Sequence, residues 1–238
     1  MSKSETHNQD CLEAMRHLPD KAFDLAIVDP PYGIGMSAKS FNFRKPSVNS
    51  RHTGVASFTN MSEWDEAIPS DKYFAELLRV SRKQIIWGGN YFAAILPASS
   101  AWLVWFKNGQ CMSPAAADCE LAWTSFETAV RMFRFDWSGF GYINAGEDRI
   151  HPTQKPIALY KWLLTNYAKP GDTILDTHLG SGSSRIAAYD LGFDFTGYEL
   201  DADYYAAQEK RFANHIAQPK LWEPTPIRET QGAIFATV

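Results

Sequence analysis

Short apolar runs alternate along the chain with segments of helical period, and this alternation predicts an α/β fold: a mostly parallel sheet with helices on both faces. Phe23–Val28, Gln84–Trp87, Ala101–Phe106, Glu120–Thr124, Ala129–Phe135, a short run from Thr173 and Phe193–Tyr198 read as strands. Helices are expected over Cys11–His17, closed by Leu18-Pro19-Asp20, over Asp71–Arg82 and Ile157–Ala168, and from about Ser183. In the second of these, Tyr73, Phe74, Leu77, Leu78 and Val80 supply one apolar side. Between the first strand and that helix, Met36–Ser70 is rich in Ser, Asn, Lys and Arg and has no period. So long a loop inside a compact domain points to function or disorder. Gln218–Val238 contains three prolines and reads as an arm.

The chain has 238 residues, 45% of them hydrophobic and 14% aromatic. That suits one core, and a single domain over residues 1–217 is expected, followed by the arm 218–238. No apolar run is long enough to span a membrane, and the polar start has no leader pattern, so a cytoplasmic, membrane-free protein is expected. Cys11, Cys111 and Cys119 are odd in number and lack ligand spacing, which predicts reduced structural thiols and no metal. The net charge of −4 and pI near 5.9 hide an uneven distribution. Gly33–Ser62 has no acid but carries Lys39, Arg44, Lys45, Arg51 and His52, and Leu77–Ala117, also free of acids, includes Lys107. Acids gather instead in the first thirty residues and over Asp190–Glu209. Basic stretches of this kind can neutralise phosphates, although solvation of a loop is the plainer reading.

Three motifs carry candidate chemistry. Asp29-Pro30-Pro31-Tyr32 closes the first apolar strand, the place where open α/β sheets display ligand-binding groups. The Asp29 carboxylate and the Pro30 carbonyl can each take a hydrogen from a nucleobase amine and favour a pyramidal nitrogen. The prolines add no competing donor, and Tyr32 can stack on a base for about 1–3 kcal/mol. A turn after a strand explains the tetrapeptide equally well. The second motif is Asp176-Thr177-His178-Leu179-Gly180-Ser181-Gly182-Ser183, a strand end running into a glycine turn where backbone can approach a ligand closely. The next strand ends at Glu199, at the spacing of a ribose-binding acid. Arg185 stands where a dinucleotide loop has its third glycine, and Asp176 suits an ammonium better than a pyrophosphate, favouring S-adenosylmethionine over NAD. The third motif, His151-Pro152-Thr153-Gln154-Lys155-Pro156, enters a helix and offers hydroxyl, amide and ammonium groups to an anion.

Together and in this order the motifs resemble the DNA amino-methyltransferases of the β arrangement, over about Asp10–Phe212. The short format is similar to the solitary methylases of phages and prophages. The resemblance implies a Rossmann-like, S-adenosylmethionine-dependent fold in circularly permuted order. It implies catalytic roles for Asp29, Pro30, Pro31 and Tyr32. It implies cofactor contacts from Asp10 and Cys11 at the adenine, from Thr153 and Lys155 near the methionine end, and from Asp176, His178, Gly180, Ser181, Gly182, Ser183 and Glu199. The family has Pro and Phe where this chain has Thr177 and His178, which leaves His178 either packing or reaching a polar group.

Residues 36–70 become a DNA-facing loop on this reading and 107–150 a target-recognition region, with Lys39, Arg44, Lys45, Arg51, Lys107 and Arg149 expected at duplex DNA. Arg149 and Asn144 suit guanine and adenine edges. The expected reaction is direct transfer to the exocyclic N6 of an adenine flipped from duplex DNA, and a homodimer is implied. Cytosine N4 is the alternative target. An RNA or protein-amide methyltransferase, or a non-catalytic DNA-binding regulator, are further alternatives.

Overall fold

The computed structural model describes residues 2–35, 65–107, 117–135 and 150–218. Eight strands form one sheet: β1 (Ser4–Asn8), β2 (Phe23–Val28), β3 (Ser81–Trp87), β4 (Leu103–Phe106), β5 (Cys119–Thr124), β6 (Arg131–Arg134), β7 (Thr173–Asp176) and β8 (Asp194–Glu199). Their order is β1-β8-β7-β2-β3-β5-β4-β6. Only β5 runs against its neighbours, being antiparallel to β3 and β4 while the other pairings are parallel. The helices are α1 (Cys11–Arg16), α2 (Asp71–Val80), α3 (Ile157–Tyr167), α4 (Ser183–Leu191) and α5 (Ala202–Ala217).

The two-residue period of β2 explains why its sequence is continuously apolar. Leu25 and Ile27 face one core with Ile85, Trp87, Leu159, Leu163 and Ala187, on the side of α3 and α4. Ala26 and Val28 face the other with Met15, Phe74, Leu77, Ile86 and Leu175, on the side of α1 and α2. A strand covered on both faces has no polar side to show. At the boundary between β7 and β2 the order reverses: β7 leads through α4 to β8 on one side, and β2 leads to α2 and β3 on the other. A crevice at the carboxyl ends of these two strands follows from the topology.

Two sequence expectations need correction. The second helix stops at Val80 rather than Arg82, because Ser81 turns to extended backbone (ψ 148°), pairs with Phe23 and caps the helix by donating its hydroxyl to the Leu77 carbonyl at 2.5 Å. The polar start contains an unexpected strand, β1, which pairs with β8 over Ser4–Asn8. At a sheet edge, backbone pairing suffices without an apolar face. Helix α5 (Ala202–Ala217) was also not expected as a span of its own; the remaining strands and helices agree with the expected spans to within a few residues at each end, the usual uncertainty of element boundaries. Residues 36–64, 108–116 and 136–149 and the arm beyond Gln218 lie outside the described residues. Among the described residues no helix is long and apolar enough to cross a membrane.

Candidate active site

Asp29 follows the last residue of β2, and Asp176 is the last residue of the neighbouring β7. In register Ala26 pairs with Leu175, so the two carboxylates rise from adjacent strands about 4.8 Å apart, two positions out of step. The Asp29 carboxylate is enclosed by its own turn. Its Oδ1 accepts the Tyr32 hydroxyl at 2.6 Å, and its Oδ2 meets Lys155 Nζ at 2.5 Å. Lys155 also donates to Tyr32 Oη at 3.1 Å and pairs with Glu120 Oε2 at 3.1 Å, and Lys107 pairs with Glu120 Oε1. Burial, with Glu120 nearby, holds the Asp29 carboxyl above the usual carboxylate range. The same environment raises the Tyr32 phenol, first through burial and then through Asp29, so Tyr32 donates as a neutral hydroxyl. The lysines outweigh burial at Glu120 and hold it down at about 2, and the two carboxylates outweigh burial at Lys155 and raise it.

The Tyr32 ring stacks on Tyr91 at 5.0 Å and meets Phe92 edge-on at 6.2 Å. Its backbone is fixed by Asp65, whose Oδ1 accepts from Tyr32 N at 2.8 Å and Gly33 N at 2.9 Å. Gly88 lies under the ring with φ +72°, leaving no room for a side chain.

The glycine turn stands beside this pocket. Asp176 is buried, accepts from Ser184 Oγ at 2.5 Å and His178 N at 3.0 Å, and is pushed up by burial to about 7. Gly180 and Gly182 take φ of +50° and +73°, a region costly for any residue with a Cβ. Glu199 ties the turn to β8, accepting from Gly180 N at 2.7 Å and from Asp201 N at 2.9 Å, and burial raises its carboxyl. The His151 ring lies within 3.7 Å of where a Gly180 Cβ would stand, and it meets Tyr204 edge-on at 4.3 Å.

These contacts locate the other residues singled out from the sequence. Asp10 caps α1, accepting from Glu13 N at 3.0 Å. The Cys11 thiol is pushed up to about 12 by burial and Asp10, and the residue packs against the core on the α1 and α2 side. Thr153 lies against His151 Nδ1 at 3.2 Å, Pro30 is buried and Pro31 half-buried beside Tyr32, and Ser181 and Ser183 share a hydrogen bond at 3.1 Å. His178 joins a polar cluster, with Nδ1 3.0 Å from Thr177 Oγ1 and 3.5 Å from Tyr73 Oη; burial lowers it to about 4.

Two lysines make contacts that the sequence did not predict. Lys155, expected near the methionine end of a cofactor, points its ammonium into the Asp29 cluster, between two half-buried carboxylates. Lys107, expected at phosphate, is drawn onto Glu120 and over the Trp105 ring at 5.0 Å. Lys39, Arg44, Lys45, Arg51, Asn144 and Arg149 lie outside the described residues, and Cys111 does too. Among the described residues Cys11 and Cys119 are free thiols, and no group of three potential ligands could hold a metal.

Sequence reasoning missed Glu120, Asp65 and Tyr73. Glu120 had a signal, since it is a charged residue inside an apolar strand. Asp65 had a fainter one, as the second acid after a long acid-free stretch, two residues beyond Glu63.

Residues 98–210 match the N6/N4 methylase family model, described as DNA methylase. The match includes Glu120, the His151–Pro156 loop, the glycine turn and Glu199, and begins after Asp29 and Tyr32. YubD of Escherichia coli (strain K12), which carries a methylase name, is 36% identical over 66 residues, 28% of this chain and 29% of its own. The type II methyltransferase M2.DpnII of Streptococcus pneumoniae is 39% identical over 61 residues, 26% of this chain and 23% of its own. The matched stretches thus span under a third of either relative. Among solved structures, PvuII DNA methyltransferase (cytosine-N4-specific) superposes with a TM-score of 0.59 at 14% identity, covering 93% of this chain and 90% of that one. M1.HpyAVI in complex with S-adenosylmethionine gives 0.50 at 20%, covering 87% and 98%. At such identities the likeness is one of fold. The chain has the Rossmann-like methyltransferase fold, and across residues 98–210 it carries the sequence pattern of the N6/N4 DNA methylase family.

Proposed function

We propose that the protein transfers a methyl group from S-adenosylmethionine to an exocyclic base amine in duplex DNA, with adenine N6 as the target. The observation that carries this reading is the placement of the Asp29–Tyr32 turn and the Asp176–Glu199 glycine turn at the ends of adjacent strands of one sheet. An amine nucleophile and a nucleoside-type electrophile need such neighbouring cradles.

The residues fit the cofactor chemically. Asp176 offers a buried carboxylate to its ammonium, Glu199 keeps lone pairs for ribose hydroxyls, and Gly180 and Gly182 leave the turn open for close backbone approach. When bound, the cofactor supplies a sulfonium-activated methyl group. The chain's own residues orient the other reactant. Asp29 and the Pro30 carbonyl accept the two amine hydrogens, Tyr32 stacks on the base, and Asp29 receives the proton released as the N–CH3 bond forms and the S–CH3 bond breaks. Burial that raises Asp29 makes it a better acceptor for that proton. Positioning and exclusion of water account for the acceleration, with no covalent enzyme intermediate. Phosphate contacts from Lys39, Arg44, Lys45, Arg51 and Arg149 belong to this reading.

Cytosine N4 is the second reading, favoured by the fold likeness to PvuII DNA methyltransferase (cytosine-N4-specific). Mass analysis of nucleosides from unmethylated duplex DNA treated with protein and S-adenosylmethionine tests both. N6-methyladenine is expected. N4-methylcytosine alone overturns the choice of base, and methylation of neither, with RNA modified instead, overturns the DNA reading.

A further inference from the structure

We propose that Glu120 and Lys155 are positioning residues that set the basicity and orientation of Asp29, a role that rests on the functional reading above. The observation is a line of alternating charge running inward from the end of β4: Lys107, Glu120, Lys155, Asp29. Its inner end is largely shielded: Lys155 is buried, with 3% of its side chain exposed, and Asp29 is half-buried at 16%. One lysine alone would neutralise Asp29, so a second, half-buried carboxylate is a cost that stability does not require. Its effect is to divide Lys155 between two anions.

Lys155 Nζ sits 2.5 Å from Asp29 Oδ2 and 3.1 Å from Glu120 Oε2, and also donates to Tyr32 Oη at 3.1 Å. Tyr32 Oη lies 3.5 Å from Glu120 Oε2. The Asp29 carboxylate is therefore clamped through both oxygens, by Lys155 on one and Tyr32 on the other. A fixed carboxylate can present its remaining lone pairs to an incoming amine without reorganising. The lysine keeps Asp29 ionised before the amine arrives; Glu120, by sharing that lysine and by its own charge, keeps Asp29 basic enough to take a proton afterwards. The Lys155 ammonium also lies 5.5 Å from the centres of the Tyr32 and Trp87 rings, so the clamp is walled by aromatic faces. The titratable groups facing it are Asp29 and Tyr32 from the β2 turn, Glu120 from β5, Lys107 just after β4, Tyr160 from α3 and, from β7, Asp176.

The test compares Glu120→Gln and Lys155→Gln with the unchanged protein. Glu120→Gln removes a neighbouring anion, so Asp29 ionises more readily and the acidic limb of kcat/KM moves to lower pH. Lys155→Gln removes a cation, so the limb moves to higher pH. Both variants are expected to lose about tenfold to a hundredfold in kcat, with cofactor binding by calorimetry within about twofold of the unchanged protein. A merely structural role does not move the two limbs in opposite directions. The unliganded protein gives a reading independent of activity: by 15N-detected titration Lys155 is expected to hold its charge beyond the pH at which surface lysines lose theirs, and to lose it earlier in Glu120→Gln. Should the variants fail to fold, the titration of the unchanged protein decides alone, and a Lys155 that titrates with surface lysines overturns the proposal. Transfer by the unchanged protein with both limbs unmoved overturns this proposal only. No transfer by the unchanged protein overturns the functional reading and this proposal with it.

Discussion

Gly88 lies so close beneath Tyr32 that a Cβ there would stand 2.2 Å from Cε1 and 2.5 Å from Cδ1 of the ring. Gly88 follows β3 and Tyr32 follows β2, and these strands pair in parallel, so the stacking ring is set by the end of the adjacent strand. Gly88→Ala is expected to drive Tyr32 off its position. The substitution also places a Cβ at φ +72°, which costs about 1–2 kcal/mol. Transfer should fall by about a hundredfold with cofactor affinity kept, as read by a transfer assay beside calorimetry. Full activity in Gly88→Ala would show that Tyr32 is not held as described.

Asp65, 33 residues further along the chain, holds the same turn. It is buried, and its Oδ1 accepts both the Tyr32 and Gly33 amides. Asp65→Ala leaves two donors without this acceptor, and a loss of about 2–3 kcal/mol is expected in urea denaturation. Asp65→Asn keeps a carbonyl oxygen for the amides and should lose less. Equal stability of all three proteins would refute the role.

Asp176 should make cofactor binding depend on pH. Its carboxyl is pushed up to about 7 by burial, and an ammonium ligand selects the ionised form. Affinity for S-adenosylmethionine is expected to be constant above about pH 7 and to fall roughly tenfold per unit below it. The sign for folding is the reverse. A carboxyl raised in the folded state contributes stability below its unfolded value near 3.8, and that stability is lost as pH rises through 7. Asp176→Asn should therefore abolish cofactor binding yet stabilise the unliganded protein at pH 8 by roughly 1–3 kcal/mol, a gain that vanishes near pH 4.

His178 carries the opposite dependence. Burial lowers it from 6.5 to about 4, so the stability it contributes is present above pH 6.5 and is lost as pH falls through 4. His178→Phe should flatten the fall in melting temperature between those limits, while costing about 1 kcal/mol at neutral pH through lost hydrogen bonds to Thr177 and Tyr73.

Much of this fold was legible because buried strands such as β2 carry continuous apolar runs and end at motifs with distinctive chemistry. Asp29, Tyr32, Asp176 and Glu199 could be singled out that way, since each follows or closes such a run. β1 could not, because an edge strand paired through its backbone has no hydrophobic signature. The partner of Lys155 was also hidden. From the sequence, its place in a polar loop suggested an anionic ligand, while the carboxylates that hold it come from β2 and β5, 126 and 35 residues away along the chain. Ion pairs across a sheet are set by strand order, and the insertion of β5 between β3 and β4 is a tertiary fact that no local pattern records.

The most direct measurement is transfer of labelled methyl from S-adenosylmethionine to unmethylated duplex DNA, with Asp29→Ala beside the unchanged protein. Label is expected in the adenine of the DNA and absent with Asp29→Ala, although that variant still binds the cofactor. Label that persists in Asp29→Ala, or a protein that binds S-adenosylmethionine and DNA yet transfers nothing, would contradict the assignment of Asp29 and its turn as the catalytic centre.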